Sequence, residues 1–141
     1  MASARPPSPP PDAQIDSQKS LDYWSSISPT AAGMLGGYAS VSATELVGSR
    51  TFFAKLQLVP PPAPARVADC GAGIGRVTAG LLVKLNAGEV VVDLVEPVAK
   101  FLNTAGETLA PEIVTGRVGR LFEVGLEQWV PEEGAYWLIW K

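Results

Sequence analysis

The chain has 141 residues, a formal net charge of −3 and an apolar content of 47%, which bounds it to one globular domain, or part of one, and leaves no basic stripe for nucleic acid. It contains no histidine, which excludes the commonest general base and the commonest metal ligand, and no metal site is expected. The single cysteine, Cys70, excludes an internal disulfide, and no stretch reaches transmembrane length or resembles a signal peptide, so a chain away from membranes in a reducing compartment is expected.

Residues 1–16 are rich in Pro, Ser and Ala, have little to bury, and read as a disordered tail. Residues 17–59 read as a helical extension. Its first helix, Ser17 to Ile27, carries Leu21, Tyr23 and Trp24 and is stopped by Pro29. The aromatic pair reads by default as packing, and as a lid only because Gly33-Met34-Leu35-Gly36-Gly37-Tyr38 follows, a loop suited to folding closely over something. A second helix runs from Ser42 to Leu58, with Ser42 and Glu45 in capping-box spacing. Pro60-Pro61-Pro62-Ala63-Pro64 is a stiff connector over residues 60–65.

From residue 66 to 141 strands and helices alternate. Strands are expected at Arg66–Cys70, Glu89–Val95, Ile113–Val118 and Tyr136–Trp140. Helices are expected at Gly75–Asn86 and Pro97–Leu109, the latter with Pro in its first turn. Such alternation predicts an α/β fold with a parallel, doubly wound sheet. Two helices cannot cover both faces of that sheet, so it reads as incomplete, with Trp137 to Trp140 its most exposed apolar patch.

The chemistry concentrates at Asp69-Cys70-Gly71-Ala72-Gly73-Ile74-Gly75-Arg76. A strand, a glycine turn and a helix start allow backbone to approach a ligand closely and offer free N–H groups. The nicotinamide fingerprint spaces its glycines differently and seats a pyrophosphate. Here Asp69 would repel a pyrophosphate but suits an ammonium, and Arg76 suits a carboxylate. The amino-acid part of S-adenosylmethionine carries both groups, so that cofactor is favoured over a dinucleotide or a merely structural turn. Glu96 ends the second strand about twenty residues past the glycines, where an acid accepts from ribose hydroxyls; Asp93 competes for that role but lies inside the strand. Leu126 and Glu127 offer an apolar slot and a polar edge for adenine, though they read almost equally as ordinary loop.

Tyr23-Trp24, Pro29-Thr30, Gly33-Met34-Leu35-Gly36-Gly37-Tyr38, Ser49-Arg50 and the Asp69–Arg76 run together resemble the α-N-terminal protein methyltransferases, which act on exposed X-Pro-Lys N-termini. The resemblance extends from about Ser20 to Trp140. It implies a Rossmann-like class I methyltransferase fold, with Gly71, Gly73 and Arg76 holding the methionine part of S-adenosylmethionine, Glu96 the ribose, and Leu126 and Glu127 the adenine. It implies that Trp24 and the loop Leu35, Gly36, Gly37 and Tyr38 close over cofactor and peptide. Many relatives carry Asp at the Glu96 position, and Tyr-Asp where this chain has Tyr136-Trp137.

The relatives also continue well past residue 141, and their catalytic and amine-binding residues lie in that continuation, so no catalytic residue is assigned here. Methyl transfer to an amine needs alignment, exclusion of water and an unprotonated nitrogen. The expected partners are proteins with exposed X-Pro-Lys N-termini, in cytoplasm and nucleus, with no nucleic acid and no membrane, and a complete protein is expected to be a monomer. The expected activity of residues 1–141 alone is low. An inactive cofactor-binding or regulatory remnant is the competing reading.

Overall fold

The structure, a computed structural model, describes residue 8 and residues 10–141. The tail expected at residues 1–16 therefore falls mostly outside the described residues; within it, Pro11–Gln14 form one 3-10 turn.

Four parallel strands form the sheet: β1 (Ala65–Cys70), β2 (Val90–Val95), β3 (Val118–Phe122) and β4 (Leu138–Trp140), in the order β3-β2-β1-β4. The doubly wound expectation holds, since the chain steps outward from β1 to β3 and then returns to the other side of β1. Val67 pairs with Val92 on one side and Leu138 on the other, so β1 is central. The residues Val67, Val92 and Leu94 are wholly buried, as a parallel sheet requires.

One face of the sheet carries the main core. Val67, Val92, Leu94 and Val118 pack there against Leu81, Leu82 and Leu85 and against Leu102, Ala105 and Leu109. The last three lie on or just after α5 (Ala99–Thr108), whose apolar side faces the sheet. The opposite face holds a smaller cluster, Ala68, Cys70 and Val95, covered by Phe122 at the end of β3 and by Trp129 and Tyr136 from the segment leading to β4.

That second face is organised by Asp93, which is completely buried. It accepts hydrogen bonds from Arg66 Nη2 (2.6 Å), Tyr136 Oη (2.7 Å) and the Arg120 backbone N–H (2.8 Å). The bond to Arg120 lies where the β2–β3 register shifts between Val92 and Leu94: a carboxylate reaches across and takes a backbone donor of the neighbouring strand. Burial and the bond to Asp93 hold the Tyr136 phenol up at about 12. Asp93 is thus occupied away from the glycine turn, which removes it as a rival to Glu96.

Several expected boundaries move. The helix expected at Gly75–Asn86 is regular only over α4 (Arg76–Gly80) and continues as 3-10 turns through Leu82–Gly88, with non-helical backbone at Leu85, Asn86 and Ala87. Strand three does not occupy Ile113–Val118. Pro111 sits in the first turn of a further helix, α6 (Ala110–Val114), as proline prefers, and the chain turns at Gly116 before β3 begins. Strand four is shorter than expected, starting at Leu138; Trp137 still donates its backbone N–H to the Arg66 carbonyl at 2.9 Å, and its ring stacks edge-on against Phe53, 6.0 Å between centroids. Within the patch expected to be most exposed, only Ile139 is exposed, at 40%.

The extension contributes α1 (Ser17–Ser26), α2 (Ala31–Met34) and α3 (Ser42–Leu56). Asp16 caps α1, accepting from the Lys19 N–H at 3.0 Å, and Thr30 caps α2, accepting from the Gly33 N–H at 3.1 Å. Each replaces water on an otherwise unpaired N–H group, a contribution of about 1 kcal/mol. The expected capping box at Ser42 and Glu45 does not form: the 3-10 turn Ala39–Val41 runs straight into α3, so Ser42 is already helical and Val41 starts the helix with no side-chain cap, while both side chains turn to Arg76. Leu46 and Phe53 pack α3 onto the core, and Leu46 comes so close to Gly80 that a side chain there would meet it at 2.6 Å.

Candidate functional site

A cavity of about 770 Å³ opens at the carboxyl ends of β1 and β2, walled by α1, Met34, the glycine turn and residues 123–128. This is where ligands bind in open α/β sheets. Its floor is the turn that follows β1. Gly71 has φ +70° and Gly75 has φ +81°, conformations costly for any residue with a Cβ. They serve different ends. A Cβ on Gly71 would meet nothing within 4 Å and would take up space beside the cavity that Gly71 lines, whereas one on Gly75 would strike Leu109 Cδ1 at 2.8 Å and Ala105 Cβ at 3.2 Å. Gly71 leaves room for a ligand, and Gly75 lets α5 pack.

Asp69, one residue before the end of β1, lines the cavity and is buried. Its Oδ2 accepts from Thr78 Oγ1 at 2.6 Å. Desolvation pushes its pKa up to about 6; the Thr78 hydrogen bonds and Arg76 pull the other way, and Glu96 adds to the rise. A cation arriving in the cavity would restore the ordinary carboxylate range.

Glu96 is buried and lines the same cavity. Its Oε2 accepts from the Gly73 N–H at 2.8 Å and its Oε1 from the Val98 N–H at 2.9 Å. One carboxylate therefore ties the glycine turn to the segment entering α5, and sets that helix to begin at Ala99 rather than at Pro97. Burial raises its pKa, and the two backbone donors oppose the rise. Each oxygen retains a free lone-pair direction for a ligand hydroxyl, so the turn-holding role and the expected ribose role are compatible.

Arg76 opens α4, lines the cavity, and is held from α3 by Ser42 Oγ (3.2 Å) and Glu45 Oε2 (2.5 Å). Leu126 and Glu127 line the far wall, and the Glu127 carboxylate folds back over Gly125, where any side chain would collide with it. Trp24 lines the near wall, 40% exposed and edge-on to Tyr23 at 5.2 Å, so the aromatic pair is not core packing. Lys100 Nζ ties α1 to α5 through the Ser25 carbonyl.

The expected loop contacts do not all reach the cavity. Gly71, Gly73, Arg76, Glu96, Leu126, Glu127 and Trp24 meet there, but Leu35, Gly36 and Gly37 do not line it. Thr30 starts a short helix whose last residue, Met34, points inward instead. A Cβ on Gly73 would meet Met34 Sδ at 2.8 Å, and Gly36 and Gly37 carry the chain away outside. Sequence reasoning missed Met34, Thr78, Ser42 and Glu45 as neighbours of the site. Thr30 followed by Gly33 was a usable cap signal for the first; the others depend on contacts between elements.

These residues fit S-adenosylmethionine. A buried acid faces the space an ammonium would use, a guanidinium lies on the same wall, the Gly71 floor is open, and the volume suits a small ligand.

Residues 12–141 match the family model described as AdoMet dependent proline di-methyltransferase. The chain is 43% identical over 124 residues to an alpha N-terminal protein methyltransferase 1 of Schizosaccharomyces pombe and 40% identical to an N-terminal Xaa-Pro-Lys N-methyltransferase 1 of Mus musculus; each match covers 86% of this chain and 53% of the relative. The chain thus spans about half the length of the curated relatives it matches. Among solved structures, a SAM-dependent methyltransferase of Leishmania major is 36% identical, with a TM-score of 0.72 over 86% of this chain and 46% of that one. A Haemonchus contortus phosphoethanolamine N-methyltransferase, 18% identical with a TM-score of 0.63 over 86% of this chain and 23% of its own, shares the fold. With a Rossmann-like methyltransferase fold and a family match over nearly its whole described length, this chain belongs to the AdoMet-dependent proline di-methyltransferase family.

Proposed function

We propose that this chain forms the S-adenosylmethionine-binding part of a methyltransferase acting on the α-amino group of proteins that begin Xaa-Pro-Lys. The observation that carries the cofactor half is the joint placement of Asp69, Gly71, Arg76 and Glu96 on one cavity. Asp69 would hold the ammonium, Arg76 the carboxylate and Glu96 the ribose, while Leu126 and Glu127 border the adenine. When bound, the cofactor supplies an electrophilic methyl group. The chain's own residues orient it: the Gly71 floor fixes depth, and Trp24 and Met34 shield the opening from water.

The acceptor class rests on the relatives' names and on an amine suited to the chemistry. An α-amine has an ordinary pKa of ~7.7–8.0, so little base assistance is required near neutrality. The buried thiol of Cys70 suits a reducing compartment, cytoplasm or nucleus.

The test uses tritiated S-adenosylmethionine, an Xaa-Pro-Lys peptide and the same peptide acetylated at its N-terminus. Label is expected on the free peptide alone, more slowly than with a relative of full length. Label on the acetylated peptide, or on neither, would overturn the acceptor assignment.

A further inference from the structure

We propose that Glu45, assisted by Ser42, is a positioning residue that holds the Arg76 guanidinium in place for the carboxylate of the bound ligand; this rests on the cofactor reading given above.

Ser42 and Glu45 have the spacing of a capping box, yet neither caps α3. Both side chains instead leave their own helix and meet Arg76, on Nη1 and Nη2 respectively. The 3-10 turn Ala39–Val41 runs straight into α3, so Ser42 has helical backbone with its N–H on the Ala39 carbonyl, and both side chains are left free for Arg76. Arg76 needs such support. Its side chain has several rotatable bonds, and confining it costs about 2 kcal/mol of rotamer entropy. An arginine already held has less left to lose when a ligand carboxylate arrives.

The donor inventory allows both interactions at once. A guanidinium carries five N–H donors, and α3 engages two of them. The rest remain for the cavity, which the residue lines with its side chain only 16% exposed. The platform is itself fixed. Leu46, next to Glu45, packs tightly on Gly80, and Arg50 Nη2 donates to the Gly80 carbonyl at 3.3 Å. Both contacts clamp α3 to α4, the helix that Arg76 opens. A neutralising partner that only competed for Arg76 would need no such anchoring.

The experiment compares two probes by calorimetry on the full chain. S-adenosylhomocysteine carries the amino-acid group; methylthioadenosine has the same nucleoside and thioether without it. Glu45→Ala is expected to weaken the first about tenfold and the second less than ~2-fold, since only the first meets Arg76. Glu45→Gln keeps an acceptor for Nη2 and is expected to recover most of the loss. If the alanine variant does not fold, Ser42→Ala carries the same comparison with a loss of ~3-fold. Equal losses for both probes, unchanged binding, or tighter S-adenosylhomocysteine binding in Glu45→Ala would overturn the inference and leave the cofactor reading standing. A wild-type chain that binds neither probe would overturn the cofactor reading, and the inference with it.

Discussion

The two ends of the glycine turn should respond differently to the same small change. At Gly75, alanine must adopt φ +81°, a left-handed conformation costing roughly 1–2 kcal/mol. Its methyl would also lie 2.8 Å from Leu109 Cδ1 and 3.2 Å from Ala105 Cβ. Both neighbours are buried, at 1% and 0% exposure, so relief requires moving α5 against the sheet, an overpacking cost of about 1–3 kcal/mol. The sum is about 2–5 kcal/mol, a large share of the ~5–15 kcal/mol that keeps a domain folded. At Gly71 the same substitution meets open space at φ +70°, so only the backbone cost of roughly 1–2 kcal/mol applies. Urea unfolding followed by tryptophan fluorescence measures both. Gly75→Ala is expected to lower the midpoint well beyond Gly71→Ala, with unchanged slope. Gly71→Ala is expected to remain folded and to lose S-adenosylhomocysteine binding. Two variants equal in stability within ~0.5 kcal/mol would refute the division of labour between these glycines.

The Asp69 carboxyl sets a pH dependence. Its folded pKa of about 6 lies above the ordinary 3.8, so the native state holds the proton more tightly than the unfolded chain. The stabilisation is complete below about pH 4 and is lost as pH rises through about 6, up to about 3 kcal/mol. Asp69→Asn should flatten that slope when urea midpoints at pH 4.5 and 7 are compared, and an unaltered slope would assign it to other groups. In the same range, wild-type affinity for S-adenosylhomocysteine should rise as Asp69 ionises, and the Asn variant should lose that rise. Tyr136→Phe removes one of three donors to the buried Asp93 and should destabilise by about 1.5–3 kcal/mol without changing ligand affinity; a change in affinity would connect the second sheet face to the cavity.

Much of this architecture was legible in the sequence because it rests on local patterns. Apolar runs mark β1 and β2, and a strand, glycine turn and helix start announce the floor of the cavity. The distance from the glycines singles out Glu96, and that residue lines the cavity. What escaped was decided between elements. Helix α4 ends at Gly80, where Leu46 from another helix packs on the bare backbone, a contact no local window contains. Ile113 and Val114 have strand propensity, but Pro111 starts a turn of helix there. Ser42 and Glu45 fit a cap by spacing, but the preceding 3-10 turn makes Ser42 part of the helix, and both side chains meet a guanidinium from another helix. Asp93 reads as a candidate ligand until Arg66, Tyr136 and the β3 backbone are seen to occupy it.

The central claim is that Asp69, Gly71, Arg76 and Glu96 together bind the amino acid and ribose of S-adenosylmethionine. Calorimetric titration of the full chain with that compound, beside Arg76→Ala, tests it most directly. The expected result is saturable binding at one site, weakened at least tenfold in the variant, as loss of a charge-assisted pair to a carboxylate requires. A folded wild-type chain that gives no binding heat across several temperatures, or an Arg76→Ala chain that binds as well as wild type, would contradict it.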